Sequence, residues 1–132
     1  MAPQVVWFRD NYRAQTVSFS YEALSQGDIE RASSLCYRLL EVDPQSLTAH
    51  NYLGVIAEHQ GNNAQAKAWY EKGLSIDSSH EESLFNLSVV YWREKNWSRV
   101  ISLLKRILKI NPQHVGANKY LPAAMRKKEA SS

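Results

Sequence analysis

Cysteine, proline and glycine are scarce in this sequence, which has one, four and five of them among its 132 residues. A single cysteine excludes an intrachain disulfide and a cysteine-rich metal site, and it favours a reducing compartment, so we expect a cytoplasmic protein. So few glycines and prolines leave little material for the turns of an all-β fold. No apolar stretch approaches the roughly 20 residues of a membrane helix, and the N-terminal residues lack the pattern of a secretory signal. We therefore expect no insertion into a membrane.

The charged residues are unevenly distributed, although the net charge is only +3. Residues 13–82 contain ten acids and five bases, whereas residues 83–132 contain two acids and ten bases. Such an asymmetry can favour head-to-tail contacts between copies, so self-association is one alternative function. Another is binding of a nucleic acid or an acidic partner by the basic C-terminal third, whose cations include Lys95, Arg99, Lys105, Arg106 and Lys109. We expect these cations to form a solvated surface rather than a nucleic-acid site.

One pattern recurs every 34 residues. Residues 40–44, 74–78 and 108–112 have the sequences LEVDP, LSIDS and LKINP. Three further sets of positions follow the same spacing: Phe19, Leu53 and Leu87; Ser20, Gly54 and Ser88; Ala32, Ala66 and Val100. Because many positions agree in one register, the pattern indicates a structural repeat rather than a chance similarity.

Each period predicts two antiparallel helices. The apolar side chains of residues 47–60 follow helical spacing, and Gly61-Asn62 ends this helix because glycine accepts the left-handed conformation. Residues 64–76 are rich in good helix formers, and residues 77–79 end that helix and can cap the next one. Small residues are expected where the two helices cross. The larger residues expected to fill the space beside the crossing are Phe19, Leu53, Leu87, Tyr70 and Leu104.

These features are similar to the tetratricopeptide repeat, a 34-residue helix–turn–helix unit. The residues that match its pattern are Ala32, Pro44, Leu53, Gly54, Gly61, Ala66, Tyr70, Leu87, Tyr91 and Pro112. The chain departs from the pattern at Thr16, Cys36, His50, Gly73 and Ser78. The resemblance implies an all-α, right-handed α-solenoid of helical hairpins. It specifies the fold more strongly than any one function.

We predict three repeats, at residues 13–46, 47–80 and 81–114, followed by a capping helix and a frayed tail over residues 115–132. The end of a solenoid needs a cap because its last repeat otherwise exposes apolar surface. Pro122 is expected to kink or break this helix, because proline removes a backbone donor. Residues 1–12 are predicted to continue into the first helix, with a mobile or groove-docked arm as the alternative. The side chains expected to cap that end are Val5, Val6, Trp7, Phe8 and Tyr12.

No set of side chains predicts an active site. The sequence contains neither a glycine-rich phosphate loop nor the nucleophile and zinc motifs of hydrolases. His80 and His114 fall at predicted helix starts, and His50 is expected to be a hydrogen-bonded, partly buried histidine. Cys36 is expected to be a buried and inert thiol. We therefore expect no enzyme activity, no cofactor and no metal.

The first helix of each hairpin is expected to line a concave groove. Helical spacing assigns eleven residues to it: Val17, Tyr21, Asn51, Val55, His59, Phe85, Val89, Trp92, Arg93, Lys119 and Arg126. The core does not require aromatic and branched side chains at these positions, and exposed apolar surface with a polar rim is typical of a binding site. The alternative is that Tyr21 or Phe85 packs between neighbouring repeats.

The resemblance implies that this groove binds an extended or helical segment of a partner protein, as a non-catalytic adaptor or scaffold does. One subclass of the family grips the acidic C-terminal tail of a chaperone with Lys, Asn and Arg side chains. The matching positions here are Val17, Tyr21, Tyr52, Glu82 and Asn86. Only Asn86 is compatible with that role, and Glu82 would repel a carboxylate. We instead expect an apolar or aromatic-bearing segment, with an acidic flank near Arg93, Lys119 and Arg126.

Overall fold

Seven α-helices and no strand make up the part of the chain that the computed structural model describes, namely the backbone of residues 3–132 and the side chains of residues 11–132. The helices are α1 (Pro3–Ser25), α2 (Ile29–Val42), α3 (Leu47–His59), α4 (Asn63–Ile76), α5 (Glu81–Arg93), α6 (Trp97–Ile110) and α7 (Val115–Ala130). The capping contacts predicted for Val5, Val6, Trp7 and Phe8 concern side chains outside the described residues.

The helices pack as three hairpins and a final helix. α1 pairs with α2, α3 with α4, and α5 with α6, while α2–α3, α4–α5 and α6–α7 contacts join each hairpin to the next element. This arrangement confirms the predicted all-α solenoid of helical hairpins. Among the described helices, none has both the length and the hydropathy that crossing a bilayer requires.

Two sets of side chains, each recurring every 34 residues, begin the helices. Asp28, Asn62 and Asn96 begin α2, α4 and α6, and their side-chain oxygens accept a backbone hydrogen bond from the residue three positions on. Ser46, His80 and His114 begin α3, α5 and α7 in the same way. The two histidines therefore lie at helix starts, as predicted.

The predicted cap of α5 at residues 77–79 is wrong, because His80 caps this helix through its ring Nδ1. Asp77 instead closes the turn that follows α4. Its carboxylate accepts hydrogen bonds from the backbone N–H and the hydroxyl of Ser79, at 3.0 and 2.9 Å. These two hydrogen bonds hold the pKa of Asp77 below its usual value.

The turn inside each hairpin uses a residue in the left-handed conformation. Gly27 and Gly61 have φ angles of 75° and 74°, and the equivalent Lys95 has a φ angle of 58°. Glycine adopts this conformation without a steric cost, whereas a side chain at Cβ makes it unfavourable. The third hairpin therefore keeps the turn geometry of the other two with a less suitable residue.

Phe19 is not buried as its equivalents in the next two repeats are. Leu53 and Leu87 are 3% and 4% exposed, but Phe19 is 43% exposed. Leu53 packs with Ala32 and Cys36 of the preceding helix α2, whereas no hairpin precedes α1 in the described part of the chain. The predicted burial of Phe19 beside the helix crossing is therefore wrong, because burial at this position requires a preceding repeat to pack against it.

Helix α7 continues through Pro122 to Ala130, so of the kink or break predicted at this proline, the break is wrong. Ala117 and Ala124, on either side of Pro122, are completely buried. A proline inside a helix costs about 3 kcal/mol. The packing of both halves of α7 against the hairpin before it offsets that cost.

His50 and Cys36 are buried as predicted. The His50 ring Nδ1 lies 2.7 Å from the carbonyl oxygen of Ser46, and the ring packs against Trp69. Burial raises the pKa of the Cys36 thiol to about 11, although a hydrogen bond with Ser20 opposes the shift. The thiol is therefore protonated and unreactive at neutral pH.

Candidate functional site

An apolar cavity of about 260 Å³ opens at the third hairpin, between α5, α6 and α7. Its lining residues are Phe85, Ser88, Val89 and Trp92 from α5, Val100 and Leu104 from α6, and Tyr120 from α7. Val89 and Tyr120 are each 38% exposed, so the cavity is accessible from solvent. The structure thus brings together three of the predicted groove residues, Phe85, Val89 and Trp92.

The aromatic walls of this cavity also join α5 to α7. The Trp92 ring contacts Trp97 and Tyr120 edge to face, with centroids 5.1 and 5.6 Å apart. The Phe85 ring packs at 5.3 Å against His114. A Cβ atom at Gly116 would lie 2.6 Å from the Phe85 ring, so a larger residue at position 116 would force this ring to shift. Phe85 and Trp92 therefore support the capping helix as well as lining the cavity.

The second hairpin has an aromatic side chain in the equivalent space. Tyr70 occupies the position of Leu104, and its ring is completely buried against Gly54, the equivalent of Ser88. The Tyr70 hydroxyl donates a hydrogen bond to Glu58 at 2.5 Å. Burial raises the pKa of Tyr70, so its hydroxyl remains protonated and donates. The second hairpin is therefore filled where the third one is open.

A shallower depression lies beside the cavity, at the ends of α3 and α5. It is lined by Val55, Glu58, His59 and Arg93 and has a volume of about 250 Å³. Arg93 forms an ion pair with Glu58, which also accepts the Tyr70 hydrogen bond. The Arg93 charge is therefore already paired within the fold, and its predicted contact with an acidic flank would have to compete with Glu58.

The other predicted groove residues do not line this cavity. Asn51 is buried and ties α3 to α5, because its amide donates to Glu82 at 3.4 Å and its oxygen accepts from Asn86 at 3.1 Å. On α1, Val17 is half-buried and Tyr21 is exposed. On α7, Lys119 and Arg126 are exposed.

Several cavity residues are absent from the sequence-based set of groove residues: Ser88, Val100, Leu104 and Tyr120. The 34-residue alignment contains a signal for two of them, since Leu104 replaces the larger Tyr70 and Ser88 replaces Gly54. Tyr120 belongs to the capping helix, whose orientation is decided by its packing rather than by the repeat.

Two cations of α7 lie over the aromatic walls. The Lys127 ammonium is 5.8 Å from the Trp92 ring centroid and 5.5 Å from that of Trp97. The Lys119 ammonium is 5.4 Å from the Tyr120 centroid. Such distances allow cation–π attraction. The α7 side of the cavity is therefore positively charged.

The described residues contain no geometric arrangement of ligands for a metal ion. No group of three or more His, Cys, Asp or Glu side chains is positioned to hold a metal ion there. His80 and His114 accept backbone hydrogen bonds at helix starts, and His50 is buried beside Ser46. What the site presents is an accessible apolar surface.

The chain matches one family model, described as the tetratricopeptide repeat protein 21 C-terminal ARM domain, over residues 9–120. It is similar to human protein O-mannosyl-transferase TMTC3, with 24% identity over 92 residues, and to the type IV pilus assembly protein PilF of Pseudomonas aeruginosa, with 27% identity over 96 residues. These alignments cover 67% and 73% of this chain but 10% and 38% of the two relatives. The chain therefore corresponds to a part of each relative.

Solved structures share the fold. Pseudomonas aeruginosa PilF superimposes with a TM-score of 0.83 at 23% identity, over 92% of this chain and 55% of its own. The first tetratricopeptide repeat domain of Spaghetti (RPAP3), in a structure with the HSP90 peptide SRMEEVD, superimposes with a TM-score of 0.80 at 11% identity. That alignment covers 92% of this chain and 95% of the domain. At these identities the likeness concerns the fold alone.

Proposed function

The chain belongs to the tetratricopeptide repeat family, in the group described as the tetratricopeptide repeat protein 21 C-terminal ARM domain, and on that premise we propose that it is a non-catalytic adaptor whose inner groove binds a segment of a partner protein. The proposed groove comprises the eleven residues assigned from the sequence, with the third-hairpin cavity at its centre. The RPAP3 domain, which has the same fold, holds a peptide in its solved structure. That precedent supports a peptide-like partner here.

The observation that carries this proposal is the accessible apolar cavity. Phe85, Val89 and Trp92 form an apolar wall next to the paired charges of Glu58 and Arg93. An apolar surface of this kind with a polar rim is typical of a protein-binding site. A buried core would instead have sealed Val89, which is more than a third exposed.

We propose that the partner is not an acidic chaperone tail held by a carboxylate clamp. The side chain of Glu82 is 77% exposed at the start of α5, at one of the positions where the clamp needs a cation or an amide. Asn86 is the compatible residue, and its amide already donates to Asn51. A terminal carboxylate at this end of the groove would be repelled by Glu82 and would find few donors.

The basic C-terminal third offers weaker support for a nucleic-acid site. Arg106 donates a hydrogen bond to the carbonyl oxygen of Ser78 at 2.8 Å, and Arg99 lies 5.8 Å from the Tyr91 ring centroid. Both cations therefore already contact groups within the fold. A nucleic-acid site would need phosphate contacts from several free cations on one surface.

The test is co-purification with mass spectrometry, comparing wild type with the variant Val55→Asp/Val89→Asp. Both valines are groove residues, and neither is among the aromatic contacts that hold α7. A charge at both positions is expected to weaken partner binding by about 30-fold or more. Ile110→Asp is the matched control, because Ile110 is 43% exposed at the end of α6. Circular dichroism confirms that all variants remain helical.

The proposal predicts that specific partners are retained by wild type and by Ile110→Asp but lost from the groove variant. Retention of the same partners by all three proteins would place the interaction outside the groove and overturn the proposal. Loss of those partners on adding salt, with no effect of the groove substitutions, would instead indicate the basic surface of α6.

A further inference from the structure

We propose that the third-hairpin cavity receives one apolar side chain, of about the size of phenylalanine, and that acidic residues beside it in the partner contact Lys119 and Lys127. This inference rests on the proposed function, because it assigns the chemistry of the segment that the groove binds. It is carried by three observations, namely the equivalent space in the second hairpin, the walls of the cavity and the distribution of charge at its mouth.

The second hairpin shows which kind of side chain this space accepts. There the ring of Tyr70 packs between the two helices against Gly54. In the third hairpin the equivalents of Tyr70 and Gly54, which are Leu104 and Ser88, line an open cavity. The chain thus supplies its own aromatic ring at one repeat and leaves the space to another molecule at the next.

The walls of the cavity favour an apolar side chain. Six of the seven lining residues are aliphatic or aromatic, and the seventh, Ser88, already donates its hydroxyl proton to the carbonyl oxygen of Phe85 at 2.6 Å. A buried polar group would therefore find few hydrogen-bond partners and lose free energy. An apolar cavity of about 150 Å³ is large enough for benzene, so 260 Å³ accommodates a phenylalanine or a leucine side chain.

The charges at the mouth favour acidic residues on the α7 side. Lys119 and Lys127 lie within 6 Å of rings that line the cavity, Tyr120 and Trp92. Arg93, on α5, is already paired with Glu58. Electrostatic complementarity therefore orients a bound segment with its carboxylates toward α7.

The experiment selects peptides from a phage-displayed library of random sequences on immobilised wild-type protein. A selected peptide is then synthesised in three forms: unchanged, with its apolar anchor replaced by alanine, and with its acidic residues replaced by the corresponding amides. We expect a large apolar residue, with acidic residues close to it, in the selected sequences. Replacing the anchor is expected to weaken binding about 30-fold, and neutralising the acids about 3- to 10-fold, measured by fluorescence anisotropy.

Two protein variants test the cavity itself. Leu104→Tyr/Ser88→Gly reproduces the pair found in the second hairpin and fills the cavity from inside, without altering the exposed surface. This variant is expected to bind the unchanged selected peptide about 30-fold more weakly than wild type does, while retaining the helical circular dichroism spectrum. Should this core variant fold poorly, Val89→Trp narrows the mouth from the exposed side and is expected to cause the same loss.

A matched pair of charge variants tests the flank. Lys119→Glu/Lys127→Glu is expected to weaken binding of the selected peptide about 10-fold or more, and this loss should become smaller as salt is added. Lys105→Glu/Lys109→Glu makes the same change in net charge on exposed residues of α6, and it is expected to alter affinity less than twofold.

Two results would overturn this inference by different routes. Peptides that bind the filled variant as tightly as wild type, yet lose affinity to Val55→Asp/Val89→Asp, would refute the anchor and leave the groove function standing. If wild type selects no peptide, while a partner is retained regardless of the groove substitutions, both the inference and the proposed function fail.

Discussion

The second and third hairpins have the same helical plan but different interiors. In the second, Tyr70 fills the space between the helices, and its hydroxyl reaches the Glu58–Arg93 ion pair. In the third, Leu104 leaves an apolar cavity of about 260 Å³ at the same place. A repeat architecture can therefore keep its backbone while one pair of side chains decides whether a unit is closed or open.

The difference depends on complementary residues at two helix positions rather than on one. Gly54 leaves space for the Tyr70 ring, since a Cβ atom there would lie 2.3 Å from the ring carbon Cε1. Ser88 and Leu104 form the opposite combination, with a larger residue on the first helix and a smaller one on the second. Interiors of proteins are close-packed, so such pairs must change together.

The largest expected effect on stability comes from removing the Tyr70 ring. Tyr70→Ala should lower the free energy of unfolding by about 3–5 kcal/mol, because it removes a fully buried aromatic side chain and leaves a cavity. Urea unfolding followed by circular dichroism measures the change. Tyr70→Phe is the control and should cost about 1 kcal/mol, because it removes only the hydrogen bond to Glu58. A loss below about 1 kcal/mol for the alanine variant would show that the ring does not stabilise the second hairpin.

A smaller effect is expected from Gly54→Ala. Alanine is the better helix former by about 1 kcal/mol, yet the overlap with Tyr70 should make this variant about 1–3 kcal/mol less stable than wild type. Adding Tyr70→Leu should relieve the overlap, so the two changes together should cost less than the sum of their separate effects. Additive effects in the urea measurements would contradict the proposed complementarity of the two positions.

In the first hairpin the equivalents of Tyr70 and Gly54 are Cys36 and Ser20. The smallest expected effect is the pH dependence of stability that Cys36 causes. Burial raises the pKa of Cys36 from 9.0 to about 11, so the unfolded thiol loses its proton before the folded one does. Its contribution to stability is complete below pH 9 and decreases as pH rises through about 11. Between pH 9 and about pH 11 the free energy of unfolding of wild type should fall by on the order of 1 kcal/mol more than that of Cys36→Ala. Equal pH dependence in the two proteins would show that the thiol is not desolvated.

Much of the fold could be predicted because its determinants are local and repeated. The 34-residue period can be read along the chain, and the glycine at 61 and the histidines at the starts of α5 and α7 each act within one turn of helix. Predictions were less successful where a residue depends on a neighbouring hairpin. In the described part of the chain no helix precedes α1 to cover Phe19 as α2 covers Leu53, and Pro122 stays within a helix because packing on both sides of it offsets the lost hydrogen bond.

The candidate site also combines local features, which could be predicted, with features that depend on packing between helices. Helical spacing alone places Phe85, Val89 and Trp92 on one side of α5, and the structure brings all three to one cavity. The pairing of Arg93 with Glu58 and the burial of Asn51 depend on how α3 packs against α5. The contribution of Tyr120 depends on how α7 packs against the third hairpin.

The sequence by itself determined the repeat, the helical hairpins and the side of α5 that carries apolar side chains, because these follow from spacing along one chain segment. Only the tertiary structure decided that the third hairpin is open and the second is closed. The volume left between two helices depends on side chains from both of them and from the next helix, so it exists only after all three have packed together.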